Sequence, residues 1–523
     1  MGKRTKPWVR SLAGIAVLLL VVACAPLRQE PETPVLEPAP AAEEGPLATW
    51  LDPLSMVQEG ESGFRLLAAG HEAFRWRVDA TRLAEDRLAI QYYIWRDDLA
   101  GRALIAELLD AADRGVHVYL LLDDMDVRGD DRGLAMLDAH EHVEVRLFNP
   151  FRTRWGVLRA GAEFVFRGAD LNHRMHNKAW IADGRFAILG GRNIANEYFD
   201  VGEVYNFADL DVAVVGPLAE EAEHAFVEYW NSPAAVPVGQ VRRIEKEYDE
   251  VRERRGELNE WLEEHRELIE LLRGQGATPA ASARGLTDAG AYAWTADAEL
   301  VVDDPAKGLG GEELAPGVLE ALLARYDDVE EELILISPYF TPAAEGTRLL
   351  TRLADDGVNV EVLTNSLAAT DVALAHSGYA RRRIDLLEGG VTLREIRPSA
   401  WSRGYQEDGG LGLGSSRASL HSKAQILDGE EVFIGSFNLG PRSAHINTEM
   451  GLFLEEEAVV EELRSIYELA VDPMFAYQVG LDEDGQVIWT DDEGQVHHRE
   501  PKAGFWRRFV AGFARLLPVE SQL

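Results

Sequence analysis

The chain repeats itself, and the repeat limits what it can become. From Leu88 it reads Leu-Ala-Ile-Gln-Tyr-Tyr-Ile-Trp, an apolar run of strand type. A helical pattern over 102–114 follows, then a second strand pattern, Gly115-Val-His-Val-Tyr-Leu-Leu-Leu-Asp123. The same order returns at Leu333-Ile-Leu-Ile-Ser-Pro-Tyr-Phe340, a helical pattern over 346–356, and Gly357-Val-Asn-Val-Glu-Val-Leu-Thr364. Later segments match as well, Val143-Glu-Val-Arg-Leu-Phe148 against Val391-Thr-Leu-Arg-Glu-Ile396. A strand, a crossover helix and a second strand form one βαβ unit, so the pattern predicts two homologous α/β halves. Between them, 241–275 is dense in Glu and Arg with Ile, Leu and Trp at helical spacing, which reads as an inserted solvated helix or helical hairpin.

Residues that carry chemistry sit at matching points of the repeat. In the first half His176-Asn177-Lys178 precedes Asp183 and then Gly190-Gly191-Arg192-Asn193. In the second, His421-Ser422-Lys423 precedes Asp428 and Gly435-Ser436-Phe437-Asn438. Two residues apart on a strand, His and Lys project from the same face, so an imidazole and an ammonium converge on one phosphate. The asparagine of the next strand adds a neutral donor. A single His-x-Lys carries almost no information; the duplicated pattern at identical spacing carries a great deal.

These motifs resemble the paired HKD motifs of the phospholipase D superfamily. Further segments resemble its cardiolipin synthase branch, particularly the bacterial type C group: Gln91-Tyr-Tyr-Ile-Trp95, Leu147-Phe-Asn-Pro150, Arg174-Met-His-Asn-Lys178, Gly190-Gly-Arg-Asn-Ile194, Asp303-Asp-Pro-Ala-Lys307 and Asn447-Thr-Glu-Met450. The resemblance implies two domains, each a mixed β-sheet flanked by helices, related by a pseudo-twofold axis with one active site at their interface. It implies a reaction without metal or cofactor. One histidine forms a phosphohistidine and the other protonates the leaving alcohol, then activates the acceptor; His176 is the expected nucleophile and His421 the acid and base. Lys178, Lys423, Asn193 and Asn438 would hold the phosphoryl oxygens. A carboxylate behind each imidazole would fix its tautomer, and the matching positions are Asp209 and Glu449. Asp183 and Asp428 complete the catalytic motifs, although tying down turns suits them better than touching substrate. Ser436 is expected to help position the phosphate; Gly191, at the matching place, cannot, so the halves are not chemically equivalent.

The rest of the sequence bears on location and partners. With 52 Lys and Arg against 90 Asp and Glu, the formal charge is −38, which argues against nucleic acid as the main partner. The only cysteine, Cys24, excludes an intrachain disulfide. It ends a segment in which Lys3, Arg4, Lys6 and Arg10 precede an apolar run from Leu12 to Ala23, the pattern of a signal peptide, and Val21-Val22-Ala23-Cys24 resembles a bacterial lipobox. A lipobox departs from the usual synthase pattern. An uncleaved helix extending to Leu27 is the alternative, and both put the body outside the cytoplasm. The reading is a periplasm-facing protein of the bacterial envelope, lipid-anchored through Cys24, with Ala25 rather than Asp pointing to the outer membrane. The expected division is 1–23 signal peptide, 24–60 lipidated cysteine and Pro- and Glu-rich tether, and 61–235 first domain. Then follow 236–310 charged helical connector, 311–480 second domain, and 481–523 hairpin and amphipathic helix.

Several features have plainer readings. His173, beside the motif, reads as a packing histidine. The acids Asp123, Asp124, Asp126, Asp130 and Asp131 follow a strand and lack a cation-loop pattern. Gly409-Gly-Leu-Gly-Leu-Gly414 opens no helix and reads as a mobile loop. Tyr92, Trp95, Tyr339 and Phe340 line either a lipid pocket or the core. Phe505, Trp506, Phe509, Val510, Phe513, Leu516 and Leu517 recur at helical spacing among arginines, as in an interfacial helix or a final packed one. The expected function is a membrane-anchored phosphatidyltransferase that acts on phospholipids such as phosphatidylglycerol, phosphatidylethanolamine and cardiolipin. A phospholipase D hydrolase, a phosphodiesterase or nuclease of the same superfamily, and an inactive surface scaffold are the alternatives.

Overall fold

The computed structural model describes residues 35–38, 41–42, 44–49, 51, 60–154, 163, 168, 170–241, 248–273, 286, 288–311, 316–398, 418–515 and 520–522. Cys24 and the Gly409–Gly414 loop lie outside them. Two large mixed sheets form the body. The first runs, in spatial order, Ala293–Thr295, Ser62–Leu67, Asp211–Val215, Phe186–Gly190, Ala179–Ala182, Arg87–Tyr92, His117–Asp123, Val143–Phe148 and Ala235–Pro237. The second runs Ala298–Val302, Met450–Leu454, Glu431–Gly435, Ala424–Leu427, Glu332–Ile336, Asn359–Asn365, Thr392–Ile396, Ala476–Leu481, Val487–Thr490 and Val496–His497. From Ser62–Leu67 with Ala298–Val302 onward the orders correspond strand for strand. In each, three parallel strands come from the βαβ units and antiparallel hairpins complete the sheet.

Both faces of each sheet are covered, which is why central strands such as Asp211–Val215 are buried at every position rather than at alternate ones. The outer face of the first sheet packs under the helices Gly70–Leu83 and Leu99–Asp113, the latter N-capped by Asp98, whose carboxylate accepts the Gly101 N–H at 3.0 Å. A middle apolar layer is common to the halves: Ala89, Leu121, Ile181 and Val212 from one join Ile334, Leu363, Ile426 and Leu452 from the other. The helices Pro217–Asn231 and Glu457–Val471 lie in this layer, and each also touches a strand of the opposite half, Ala298–Val302 and Ser62–Leu67 respectively. The interface is therefore core, and the halves form a single unit.

One expected boundary moves, and the tether is attached to the body. The connector 236–310 is not only helical: its last strands, Ala293–Thr295 and Ala298–Val302, extend one sheet each, so the second half begins before residue 311. Its helical part is a hairpin, Tyr248–Glu264 and Arg266–Arg273, docked on the first half through buried Ile269 and Leu272 and an Arg273–Glu107 ion pair at 2.5 Å. The tether 24–60 is bound to the body along part of its length. Leu36 exchanges two hydrogen bonds with the Asn231 amide, Ala42 N–H donates to the Asp183 carbonyl, and Leu47 and Leu51 are buried in the first core. Two leucines four apart on a helical turn suffice to attach a chain otherwise rich in Pro and Glu. Among the described residues, no helix is long and apolar enough to cross a membrane.

Candidate active site

Each His-x-Lys leads into the hairpin that forms the middle of its sheet. At the far end of that hairpin stand Asp183 and Asp428, with φ of 55° and 50°, each followed by a left-handed glycine, the geometry of a type I′ turn. The Asp183 carboxylate accepts the N–H groups of Glu85, Asp86 and Arg87 at 2.9–3.0 Å. Asp428 does the same for Glu330, Glu331 and Glu332 at 2.8–3.0 Å. These aspartates are thus saturated by backbone and register the hairpin against the neighbouring strand, and their inclusion among the catalytic residues is corrected.

At the near ends the halves meet, and they meet crosswise. His176 Nδ1 donates to Glu449 Oε2 at 2.8 Å, and His421 Nδ1 to Asp209 Oδ2 at 2.5 Å, so each imidazole is oriented by a carboxylate of the opposite half. Short pairings between the halves hold this exchange in place. Ala418–Leu420 pairs in parallel with Asn206–Ala208, placing His421 beside Asp209. Met175 bridges Thr448, His176 N–H donates to the Thr448 carbonyl at 2.9 Å, and the Thr448 hydroxyl donates to Asn177 Oδ1 at 2.8 Å. Removing one partner of such a buried pair costs about 3–5 kcal/mol, because the other is left desolvated and uncompensated.

The two lysines share the buried cleft. Lys178 Nζ donates to the His176 carbonyl; Lys423 Nζ donates to the His421 carbonyl at 2.6 Å and lies 3.0 Å from His421 Nδ1. Burial pulls the His176 imidazole down to about 4 despite Glu449, with Lys178 adding to the fall. Burial and Lys423 take His421 to about 3. Burial lowers Lys178 well below an ordinary lysine and Lys423 to about 8. Although burial opposes ionisation, His176 and Lys178 keep Glu449, and His421 and Lys423 keep Asp209, below the usual carboxylate range. The protein's own groups therefore hold neutral imidazoles and reluctant ammoniums around ionised carboxylates. An added phosphodiester anion favours protons on both lysines and on one imidazole, the state that acid catalysis needs.

The remaining polar groups divide. Asn193 accepts from Ile94 N–H at 3.2 Å and donates one amide proton to the Tyr198 hydroxyl at 3.0 Å, leaving its second proton for the cleft. The Asn438 Oδ1 atom is buried without a hydrogen-bond partner. Ser436 departs from expectation. Its hydroxyl proton goes to Glu449 Oε2 at 2.5 Å and it accepts Met450 N–H at 3.0 Å, so it positions a carboxylate rather than a phosphate. Gly191 is the matching residue for a steric reason, since a Cβ there would lie 2.4 Å from Asp209 Oδ1.

Other neighbours escaped the sequence. Tyr198 places its hydroxyl 3.4 Å from His421 Nε2, while Tyr93 lies edge-on to His176 with ring centroids 5.1 Å apart. Asn365 exchanges two 2.9 Å hydrogen bonds with the Leu420 backbone, Asp123 accepts Met175 N–H at 3.0 Å, and Asp303 accepts Glu449 N–H at 2.9 Å while pairing with Lys307 at 2.7 Å. Tyr93, Asp303 and Lys307 lie within segments that carried the family resemblance, and a tyrosine five residues after Asn193, without a counterpart after Asn438, was a further signal.

His173 bridges to the Ile446 carbonyl at 2.8 Å. Arg154 neutralises Asp124 and Asp131, and Arg174 neutralises Asp123. Tyr92 and Phe340 are core, whereas Tyr339 donates to Asp371 at 2.8 Å with its ring 6.0 Å from His421. Trp95 borders an open cavity of about 720 Å³ lined also by Leu258 and Trp261 of the inserted hairpin. Among the described residues, one group, His376, Glu395 and Glu500, has metal-ligand proximity, and Arg383 already places a cation among all three at 2.8–3.1 Å.

Comparisons agree with this geometry. A family model described as cardiolipin synthase, PLD-like domain, matches residues 79–230 and 322–469. The chain is 38% identical over 484 residues to cardiolipin synthase C of Escherichia coli, across 91% of this chain and 99% of that one. It is 22% identical over 410 residues to a cardiolipin synthase of Staphylococcus aureus, across 78% of this chain and 67% of the other. Among solved structures, phosphatidylserine synthase of Haemophilus influenzae superposes with a TM-score of 0.56 at 13% identity, over 90% of this chain and all of that one, a likeness of fold.

Proposed function

The chain belongs to the cardiolipin synthase branch of the phospholipase D superfamily, and from that membership we propose a membrane-bound phosphatidyltransferase that works through a phosphohistidine and forms cardiolipin. The observation that carries this reading is the crossed pair of imidazole–carboxylate hydrogen bonds in a buried, lysine-lined cleft. With each Nδ1 proton committed to a carboxylate, each Nε2 is left for chemistry. His176 Nε2, which has no protein partner among the described residues, attacks phosphorus; the P–N bond forms as the P–O bond to the leaving alcohol breaks. His421 Nε2 gives its proton to that alkoxide and then removes the proton of the acceptor hydroxyl, whose oxygen displaces His176. The Tyr198 hydroxyl beside His421 Nε2 supports this division, because it offers a polar neighbour to the nitrogen that handles protons. Lys178, Lys423 and the amides of Asn193 and Asn438 bind the phosphoryl oxygens.

In this reading the donor is phosphatidylglycerol or phosphatidylethanolamine, which leaves glycerol or ethanolamine, and the acceptor is the glycerol hydroxyl of phosphatidylglycerol. The enzyme is anchored to the envelope through Cys24, facing the periplasm at the outer membrane. Lipid analysis of proteoliposomes tests the reaction. New cardiolipin from the wild type, lost in His176→Ala and His421→Ala, is the expected result. Phosphatidic acid alone would make the enzyme a hydrolase, and DNA cleavage with unchanged lipids would overturn the lipid reading. For the anchor, fatty-acid labelling that persists in Cys24→Ala would exclude attachment at that residue.

A further inference from the structure

The C-terminal helix, Phe505–Ala514, is amphipathic with its large side chains outward. It buries Ala511 and Ala514, while Phe505, Trp506, Phe509, Val510 and Phe513 are 72, 73, 55, 49 and 56% exposed. This is not a frayed end. Arg507 donates to the carbonyls of Leu367, Ala368 and Thr370 at 2.7–3.2 Å, Arg381 donates to the Ala514 carbonyl at 3.1 Å, and Ala511 packs with Leu367, Ala368 and Ala503. The fold thus spends its small residues on attachment and presents a continuous aromatic face, with Trp506 5.6 Å from Phe505 and 5.9 Å from Phe509 between ring centroids. A fixed patch of this kind on a water-soluble surface marks a contact.

What the patch touches follows from charge and position. Between Pro501 and Pro518 stand Lys502, Arg507, Arg508 and Arg515 without one acidic residue, in a chain whose formal charge is −38. Arg507 is committed to carbonyls of the body and Arg515 lies 3.8 Å from Glu500, but exposed Lys502 and Arg508 keep the face cationic. A second copy of the same face would set these cations against their own copies, whereas an anionic lipid surface pairs with them and takes up aromatic rings at its headgroup level. The turn that receives Arg507 also carries Asp371, the acceptor for the Tyr339 hydroxyl, and Tyr339 walls His421. We propose that this helix docks the enzyme on an anionic phospholipid bilayer and presents the His421 side of the cleft to the lipid. The inference deepens the phosphatidyl-transfer reading and rests on it for its biological sense, but docking is measured separately.

Because Cys24 is the only natural cysteine, Phe509→Cys in the full lipidated chain can carry a polarity-sensitive thiol dye, with Glu483→Cys, on an exposed turn, as control. In vesicles of phosphatidylethanolamine and phosphatidylglycerol, the dye at 509 should shift to the blue and be quenched by brominated acyl chains. The dye at 483 should do neither. Equal behaviour at both positions, or a blue shift that grows with protein concentration without vesicles, would overturn the proposal in favour of no specific contact or a contact between copies. Trp506→Ser/Phe509→Ser, which removes only exposed rings, should lower transfer on vesicles about tenfold and leave transfer on short-chain monomeric lipids unchanged; an equal loss on both substrates would also overturn it. If the wild type transfers nothing while the dye at 509 is still quenched, the catalytic reading fails and the docking stands.

Discussion

His176 and His421 occupy matching places in the repeat, yet they live in different surroundings. Glu449, which serves His176, is held by two serine hydroxyls, Ser436 at 2.5 Å and Ser443 at 2.6 Å. Asp209, which serves His421, is one methylene shorter, takes the Leu210 N–H at 2.8 Å, and closes on Gly191, where no side chain fits. Among the described residues, His176 has one aromatic neighbour, Tyr93, whereas His421 has Tyr198, Phe207 and Tyr339. The difference teaches that duplication supplies the parts and that small exchanges, Glu with Ser against Asp with Gly, then give two equivalent histidines different surroundings, on which the proposed division of tasks rests.

The largest test of that division is removal of the imidazoles. His176→Ala and His421→Ala should each lower lipid transfer by about a thousandfold or more. With a phosphodiester bearing a nitrophenol leaving group, which needs no acid, His421→Ala should still release a burst of nitrophenol as His176 is phosphorylated, and His176→Ala should not. A burst in the opposite variant would reverse the assignment. Next come the carboxylates: Glu449→Gln and Asp209→Asn should each cost about a hundredfold in kcat, with folding cooperativity retained. Losses that merely add in the double variant would break the view that the halves act as one site.

Exchange of the small residues probes the comparison directly. Gly191→Ser should displace Asp209 and cost about tenfold in kcat, whereas Ser436→Gly removes one hydrogen bond to Glu449, worth about 1–3 kcal/mol at most, and leaves the Ser443 hydroxyl still holding that carboxylate. A harmless Gly191→Ser would deny the steric account. The lysines set a pH dependence of similar size. Lys423, at about 8, is cationic below that value and neutral above it, so inhibition by inorganic phosphate should weaken about tenfold per pH unit above 8 and stay level just below. An unchanged inhibition constant at high pH would sink this reading. Smallest of all, Tyr198→Phe should lower kcat about threefold to tenfold without moving KM, and a matching loss in Tyr93→Phe would erase the distinction between the histidines.

Much of this was written in residue order. The βαβ patterns at 88–123 and 333–364 are strands and helices because their apolar residues recur at the right periods, whereas the paired His-x-Lys sites lie not on strands, as expected, but in the extended segments just before Ala179–Ala182 and Ala424–Leu427, where the two halves meet. What spacing could not tell was which carboxylate faces which imidazole, since that depends on how two surfaces dock. Ser436 was misread for a related reason. A hydroxyl beside the phosphate-binding asparagine suggests a phosphate contact, but pairing of Gly435 with Gly451 sets Ser436 against Glu449 and Met450. The edge strands Ala293–Thr295 and Ala298–Val302 were hidden in a connector because they are short and partly polar. Leu47 and Leu51 were hidden in a tether because two leucines make no period.

The crossed carboxylates also bear on how such an enzyme comes into being. A chain emerging from the ribosome carries His176 long before Glu449 exists, and a fragment cut between the halves carries either imidazole without its base. Neither can hold the required tautomer in a dry cleft, because the cleft itself is made by the second half closing on the first. Catalytic power against lipid therefore arrives all at once, at the end of synthesis and folding. An agent able to cut membrane phospholipids is silent in every partial form.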